Sequence, residues 1–103
     1  MQQKVQNFNQ KRESFAKPMP VYARICDIQS EIGELAKEYL KGSKYGTEEF
    51  KLHDDFIMEF GDVMYSMLSL AEELNINAED ALDKVIEKYK KRLLKGSMGS
   101  EVE

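Results

Sequence analysis

The sequence predicts an all-α protein, a helical bundle built on a central antiparallel hairpin and completed by oligomerisation. Three observations carry this. Apolar residues recur at steps of three and four over long stretches, which is the period of a helix and not the alternation of a strand. Only two prolines and six glycines punctuate the 103 residues. One stretch, from Asp54 to Leu74, is apolar around so much of its circumference that it needs neighbours on more than one side, more than a chain with so few helices supplies.

The elements follow in order. Val5, Phe8 and Phe15 sit sparsely among Gln, Asn, Lys and Arg and predict a short, weakly docked N-terminal helix. Pro18 and Pro20 end it, since each lacks an amide donor and restrains the residue before it. From Val21 the residues Val21, Ile25, Ile28, Ile32, Leu35 and Tyr39 mark the buried face of a second helix, which Gly42 stops. Gly42 to Thr47 reads as a connection. The third helix places Ile57, Phe60, Met64, Met67, Ala71 and Leu74 on one stripe. Asn75, Ile76 and Asn77 form the next turn, with Asn77 capping a fourth helix and Glu79 and Asp80 favouring its positive end. Ala81, Leu82, Val85, Ile86, Tyr89 and Leu93 make its expected buried face, followed by basic residues suited to its C-terminal dipole. Residues 1–95 read as a single domain and 96–103 as a tail.

Composition narrows the function. With 15 basic and 19 acidic residues the formal charge is −4, which disfavours a protein that coats nucleic acid. No apolar run approaches the roughly 18 residues of a membrane span, and the polar opening lacks a signal peptide's hydrophobic segment, so the expected location is cytoplasmic. A lone Cys26 cannot form an intrachain disulfide and a lone His53 excludes multi-His or multi-Cys zinc frameworks within one chain. Any metal chemistry therefore falls to carboxylates.

Two helices carry these at matching intervals: Asp27, Glu31, Glu34 and Glu38 on the second, Asp55, Glu59 and Asp62 on the third. Steps of three and four align each set along its helix. In an antiparallel hairpin Glu31 and Glu34 face Glu59 and Asp62 across the groove. Two like charges about 4 Å apart repel by roughly 4 kcal/mol at an effective dielectric near 20, so such a cluster calls for protons or cations. Hard carboxylate oxygens suit Mg²⁺ or Mn²⁺, and the chemistry this suggests is metal-assisted attack of water on phosphorus. The simpler account, a solvated acidic stripe on a one-third charged chain, stands beside it.

The segment Glu31-Ile32-Gly33-Glu34-Leu35, followed after a loop by Glu59-Phe60-Gly61-Asp62-Val63, resembles the paired acidic motif of the MazG-like nucleotide pyrophosphohydrolases. The likeness runs from about Val21 to Leu93, with Glu87-Lys88-Tyr89 and Arg92 resembling the family's basic segment. It implies an all-α, dimeric or tetrameric enzyme that uses Mg²⁺ to split a nucleoside triphosphate into monophosphate and pyrophosphate, with Glu31, Glu34, Glu59 and Asp62 as metal ligands. Some members carry a further Glu before the first motif residue, where this chain has Ser30. Glu34 or Glu38 would take the attacking water's proton. Lys88 and Arg92, four apart on one helix face, would hold phosphate oxygens, or else only balance the helix dipole. The rival readings are a non-catalytic helical dimerisation module and a nucleotide-binding regulator without turnover.

His53 reads as a helix-start or surface residue, Cys26 and the methionines as packing, and Tyr65 as a partly buried tyrosine within reach of a substrate. Gly33 and Gly61 each weaken a helix by about 1 kcal/mol relative to Ala. A close approach between helices would explain both.

Overall fold

The computed structural model describes residues 1–15 and 19–96. Among them are four helices, α1 (Gln2–Glu13), α2 (Val21–Gly42), α3 (Asp54–Glu73) and α4 (Ala78–Leu94), and no strand. The fold is all-α, as the periodicity requires. Pro20 precedes the first residue of α2 in extended conformation, as expected, while Pro18 and the tail from residue 97 lie outside the described residues. No described helix is long and apolar enough to cross a membrane.

The helix ends are set by left-handed residues. After α2, Lys44 has φ 49°, its N–H bonds the Lys41 carbonyl and the Tyr45 N–H bonds the Leu40 carbonyl. Asn75 (φ 55°) does the same after α3, with its own N–H on Glu72 and that of Ile76 on Ala71. Both are Schellman closures, which satisfy carbonyls the helix leaves unpaired. Gly42 is needed for a different reason than a helix stop: a Cβ there would come within 2.7 Å of the Phe50 ring and 2.9 Å of the Lys51 carbonyl. The returning loop lies directly on it. Asn77 caps α4 as predicted, its Oδ1 accepting from the Asp80 N–H at 3.0 Å.

Helices α2 and α3 form the central hairpin. Contacts between Arg24 and Glu73, Asp27 and Ser66, and Glu38 and the His53 just before α3 run in opposite directions along the chain, so the pair is antiparallel. Helix α1 lies along α3, also antiparallel: Gln2 reaches the Ile76 carbonyl, Asn9 reaches Ser69, and Arg12 reaches Tyr65. Its docking is mainly polar, for Val5 is buried while Phe8 and Phe15 stay exposed.

The buried faces differ from those expected. At 100° per residue, Arg24, Ile28, Glu31, Leu35 and Glu38 share the side of α2 that meets α3, whereas Ile25, Ile32 and Tyr39 lie about a quarter turn away and remain half exposed. On α3 the inward line holds Glu59, Ser66, Ser69 and Glu73, while Ile57, Phe60 and Met67 are about half exposed. The polar edge of each amphipathic helix therefore faces its partner. The expected buried face of α4 is open too: Leu82, Val85, Ile86, Tyr89 and Leu93 are all exposed. Among the described residues helix packing is most extensive for α2 on α3 and then for α1 on α3, while Arg92 is the buried residue of α4. The radius of gyration, 17.1 Å, exceeds the roughly 13 Å of a compact domain of about 100 residues. Only Val5, Ile28 and Ala71 are buried apolar residues among those described. The two motif glycines likewise meet no close helix, since a Cβ on Gly33 or Gly61 would have nothing within 4 Å.

Candidate metal centre

Because the inward line of α2 passes through Glu31 and that of α3 through Glu59 and Asp62, the antiparallel crossing gathers three carboxylates. One oxygen from each lies within 4.8 Å of the other two. Glu31 and Glu59 are half-buried in the groove and Asp62 is exposed at its rim. Burial first, then the charges of Asp62, Asp27 and Glu34, raise the Glu31 carboxyl above its ordinary value. Glu59 is raised in the same way, by burial and then by Asp62, Glu31, Glu34 and Glu38. Two carboxyls that resist ionisation, through burial first and then through neighbouring carboxylates, form a site that a cation relieves. Three hard oxygens suit a divalent ion that prefers oxygen donors, and leave positions for water or phosphate.

The other residues singled out in the sequence are placed differently. Glu34, three positions beyond Glu31, is rotated about 60° from it around α2; its carboxylate pairs with Lys37 at 3.9 Å, half exposed, and stands outside the converging triad. It adds only its charge. Glu38 is buried and engaged, accepting from His53 Nε2 and from Lys41 Nζ, both at 3.1 Å. These bonds hold its carboxyl below the ordinary range, the His53 bond first. A carboxylate so satisfied is a weaker proton acceptor than an unpaired one. Its task is to tie the loop before α3 to α2.

Lys88 and Arg92 are on α4, where Lys88 is exposed and Arg92 buried; their cationic groups lie 5.5 and 5.8 Å from the centroid of the Tyr89 ring between them. Tyr65 donates to Asn9 Oδ1 at 2.6 Å and accepts from Arg12 at 3.1 Å, so it anchors α1.

Two features escaped sequence reasoning. Arg24 is 3% exposed, pairs with Glu73 at 3.4 Å and Asp27 at 3.9 Å, and lies over the Tyr65 ring. Its spacing of seven from Glu31 was visible, but an arginine is seldom the innermost residue of a helix. The His53 link to Glu38 spans fifteen residues and carries no local pattern.

Residues 24–95 match the MazG nucleotide pyrophosphohydrolase domain. The chain belongs to that family. It is also 34% identical over 85 residues, 79% of this chain and 71% of the relative, to a Bacillus subtilis (strain 168) protein described as "Uncharacterized protein YpjD". No solved structure matches the chain significantly.

Proposed function

We propose that this protein is a Mg²⁺-dependent nucleoside triphosphate pyrophosphohydrolase, with Mn²⁺ as a competent substitute, that acts in the cytoplasm as a homodimer or homotetramer. Water adds to the α-phosphorus, the bond from that phosphorus to the oxygen bridging to the β-phosphate breaks, and the products are nucleoside monophosphate and pyrophosphate. The observation that carries this reading is the convergence of Glu31, Glu59 and Asp62 in a family whose members act on nucleotide anhydrides.

Glu31, Glu59 and Asp62 would hold the metal, with Glu34 joining through a change of side-chain rotamer. Bound there, the ion supplies neutralising charge for the phosphate chain and acidifies the attacking water. Glu34 serves as proton acceptor in preference to Glu38, because its one partner among the described residues is an exposed lysine at 3.9 Å. The open apolar sides of α2, α3 and α4 are covered by further copies of the chain. Lys88 and Arg92 hold phosphate oxygens in that assembly. Residues 1–95 act as one domain.

The test is a panel of nucleoside triphosphates with Mg²⁺ or Mn²⁺, scored for pyrophosphate against orthophosphate, on wild type and Glu59→Gln. Pyrophosphate release that falls by about two orders of magnitude in Glu59→Gln, with oligomeric state unchanged, is the expected result. Unaltered turnover of a cognate nucleotide by Glu59→Gln removes this residue from the chemistry. No release from any triphosphate by wild type leaves the helical dimerisation module or the non-hydrolysing nucleotide binder.

A further inference from the structure

A cavity of about 290 Å³ opens where α1, the start of α2 and the end of α3 meet. It has its own chemistry. Three carboxylates line it, those of Glu13, Glu72 and Glu73, against two guanidinium groups, Arg12 and Arg24. Both arginines are already engaged, Arg12 by the Tyr65 hydroxyl and Arg24 by Glu73 and Asp27. Carboxylates outnumber guanidinium groups in the lining, three to two, and Arg12, whose bond is to a neutral hydroxyl, keeps its charge. The cavity's uncommitted polar groups are the side-chain amides of Gln6, Gln10 and Asn75, which make no hydrogen bond, together with the carboxylates of Glu13 and Glu72. Glu73 adds an acceptor, for its Oε2 is buried without a hydrogen-bond partner.

Such a lining fits a neutral ring that presents N–H donors to carboxylates and mixed donors and acceptors to carboxamides. Its size agrees, since sites for whole drug-sized ligands begin at about 300 Å³ and this cavity takes one ring system. Its place agrees as well. Arg24 in the cavity and Glu31 in the carboxylate cluster lie on one line of α2, seven residues or about 10 Å apart at 1.5 Å per residue. A sugar and a heterocycle bridge that span when the phosphate chain lies at the cluster.

We infer that this cavity is the base subsite and that it takes nucleobases bearing an exocyclic amino group, with Glu72 and Glu73 accepting from the amine and Gln6, Gln10 and Asn75 reading the ring edge. The inference rests on the nucleotide reading above and deepens it. Selectivity follows because an oxo group in place of the amine would set an acceptor against the Glu72 and Glu73 carboxylate oxygens.

The test uses free nucleosides, whose binding does not require turnover. With the full-length ¹⁵N-labelled protein, cytidine and adenosine are titrated against their oxo counterparts uridine and inosine while the side-chain amide signals of Gln6, Gln10 and Asn75 are followed. The amino nucleosides should shift those signals and bind at least about fivefold more tightly than the oxo partners. The double variant Gln6→Leu, Gln10→Leu removes side chains that bond nothing in the fold, and Glu72→Gln removes an unpaired charge. Each should weaken cytidine binding by at least about fivefold and raise KM for the cytosine triphosphate by a similar factor, leaving kcat within about twofold. Equal affinity for amino and oxo nucleosides, no shift at the three amides, or unchanged binding in both variants would overturn the assignment. Selective nucleoside binding without pyrophosphate release from any triphosphate would sink the hydrolase reading and keep the subsite, whereas release without nucleoside binding at the cavity would do the reverse.

Discussion

His53 Nε2 lies 3.1 Å from Glu38 Oε1, and its Nδ1 lies 3.0 Å from the Lys51 carbonyl. Both neighbours are acceptors, so the ring satisfies both only as the doubly protonated imidazolium. The side chain thereby joins the loop after α2 to a buried carboxylate on α2. It sits beside the Phe50 and Phe56 rings, with Tyr39 stacked on Phe50 at 4.7 Å.

This link predicts a pH dependence of stability. The Lys51 bond, then Glu38, raises the His53 pKa above its ordinary 6.5, so its contribution is full below 6.5 and is lost as pH rises through the raised folded value. Glu38 is shifted the other way, so its part is present above 4.5 and is lost as pH falls through its lowered folded value. Between those limits the pair is fully charged. Thermal melts of wild type and His53→Gln should differ most near pH 6 and converge as pH rises beyond the folded His53 value. A constant difference across the series would mean that only packing of the ring is at stake.

The two candidate bases separate by mutation. Glu38→Gln should lower the melting temperature, because it weakens the bonds to His53 and Lys41, and leave kcat within about threefold. Glu34→Gln should leave the fold unchanged and reduce kcat by about a hundredfold or more, within the usual range for general acid–base groups. The reverse pattern in steady-state kinetics and thermal melts would restore Glu38 to the chemistry.

Divalent ions should stabilise the folded protein through the carboxylate cluster, by about 2.7 kcal/mol at a hundred times Kd. Glu31→Gln and Asp62→Asn should each raise the stability of the metal-free protein, because they remove part of the crowding that pushes the Glu31 and Glu59 carboxyls up. They should also blunt the stabilisation by Mg²⁺. Equal stabilisation of wild type and both variants, read by thermal melts, would place the ion elsewhere.

The exposed apolar face of α4 predicts an interface between copies. Val85→Glu or Tyr89→Glu should shift sedimentation toward monomer and lower helicity, since the apolar face of α4 is exposed within its own chain. A wild-type chain that sediments as a fully helical monomer at micromolar concentration would end the interface argument and leave the acidic cluster untouched.

The helices are legible along the chain, because a 3.6-residue period and local capping are properties of contiguous residues. Asn77 capping α4 and the paired acidic intervals on α2 and α3 are read from spacing alone, and the interval also brought Glu31, Glu59 and Asp62 under suspicion. Which edge of each helix faces inward is set by packing between helices. Amphipathicity names an apolar arc but not its partner, and in a single chain the boundary line through Arg24, Glu31 and Glu38 is the one that packs, leaving Ile32, Phe60 and Val85 open. The same rotation separates Glu34 from Glu31 and engages Glu38 with His53 fifteen residues away. Local period is fixed by backbone geometry, whereas rotation about the helix axis is fixed by contacts distant in sequence, which no window along the chain contains.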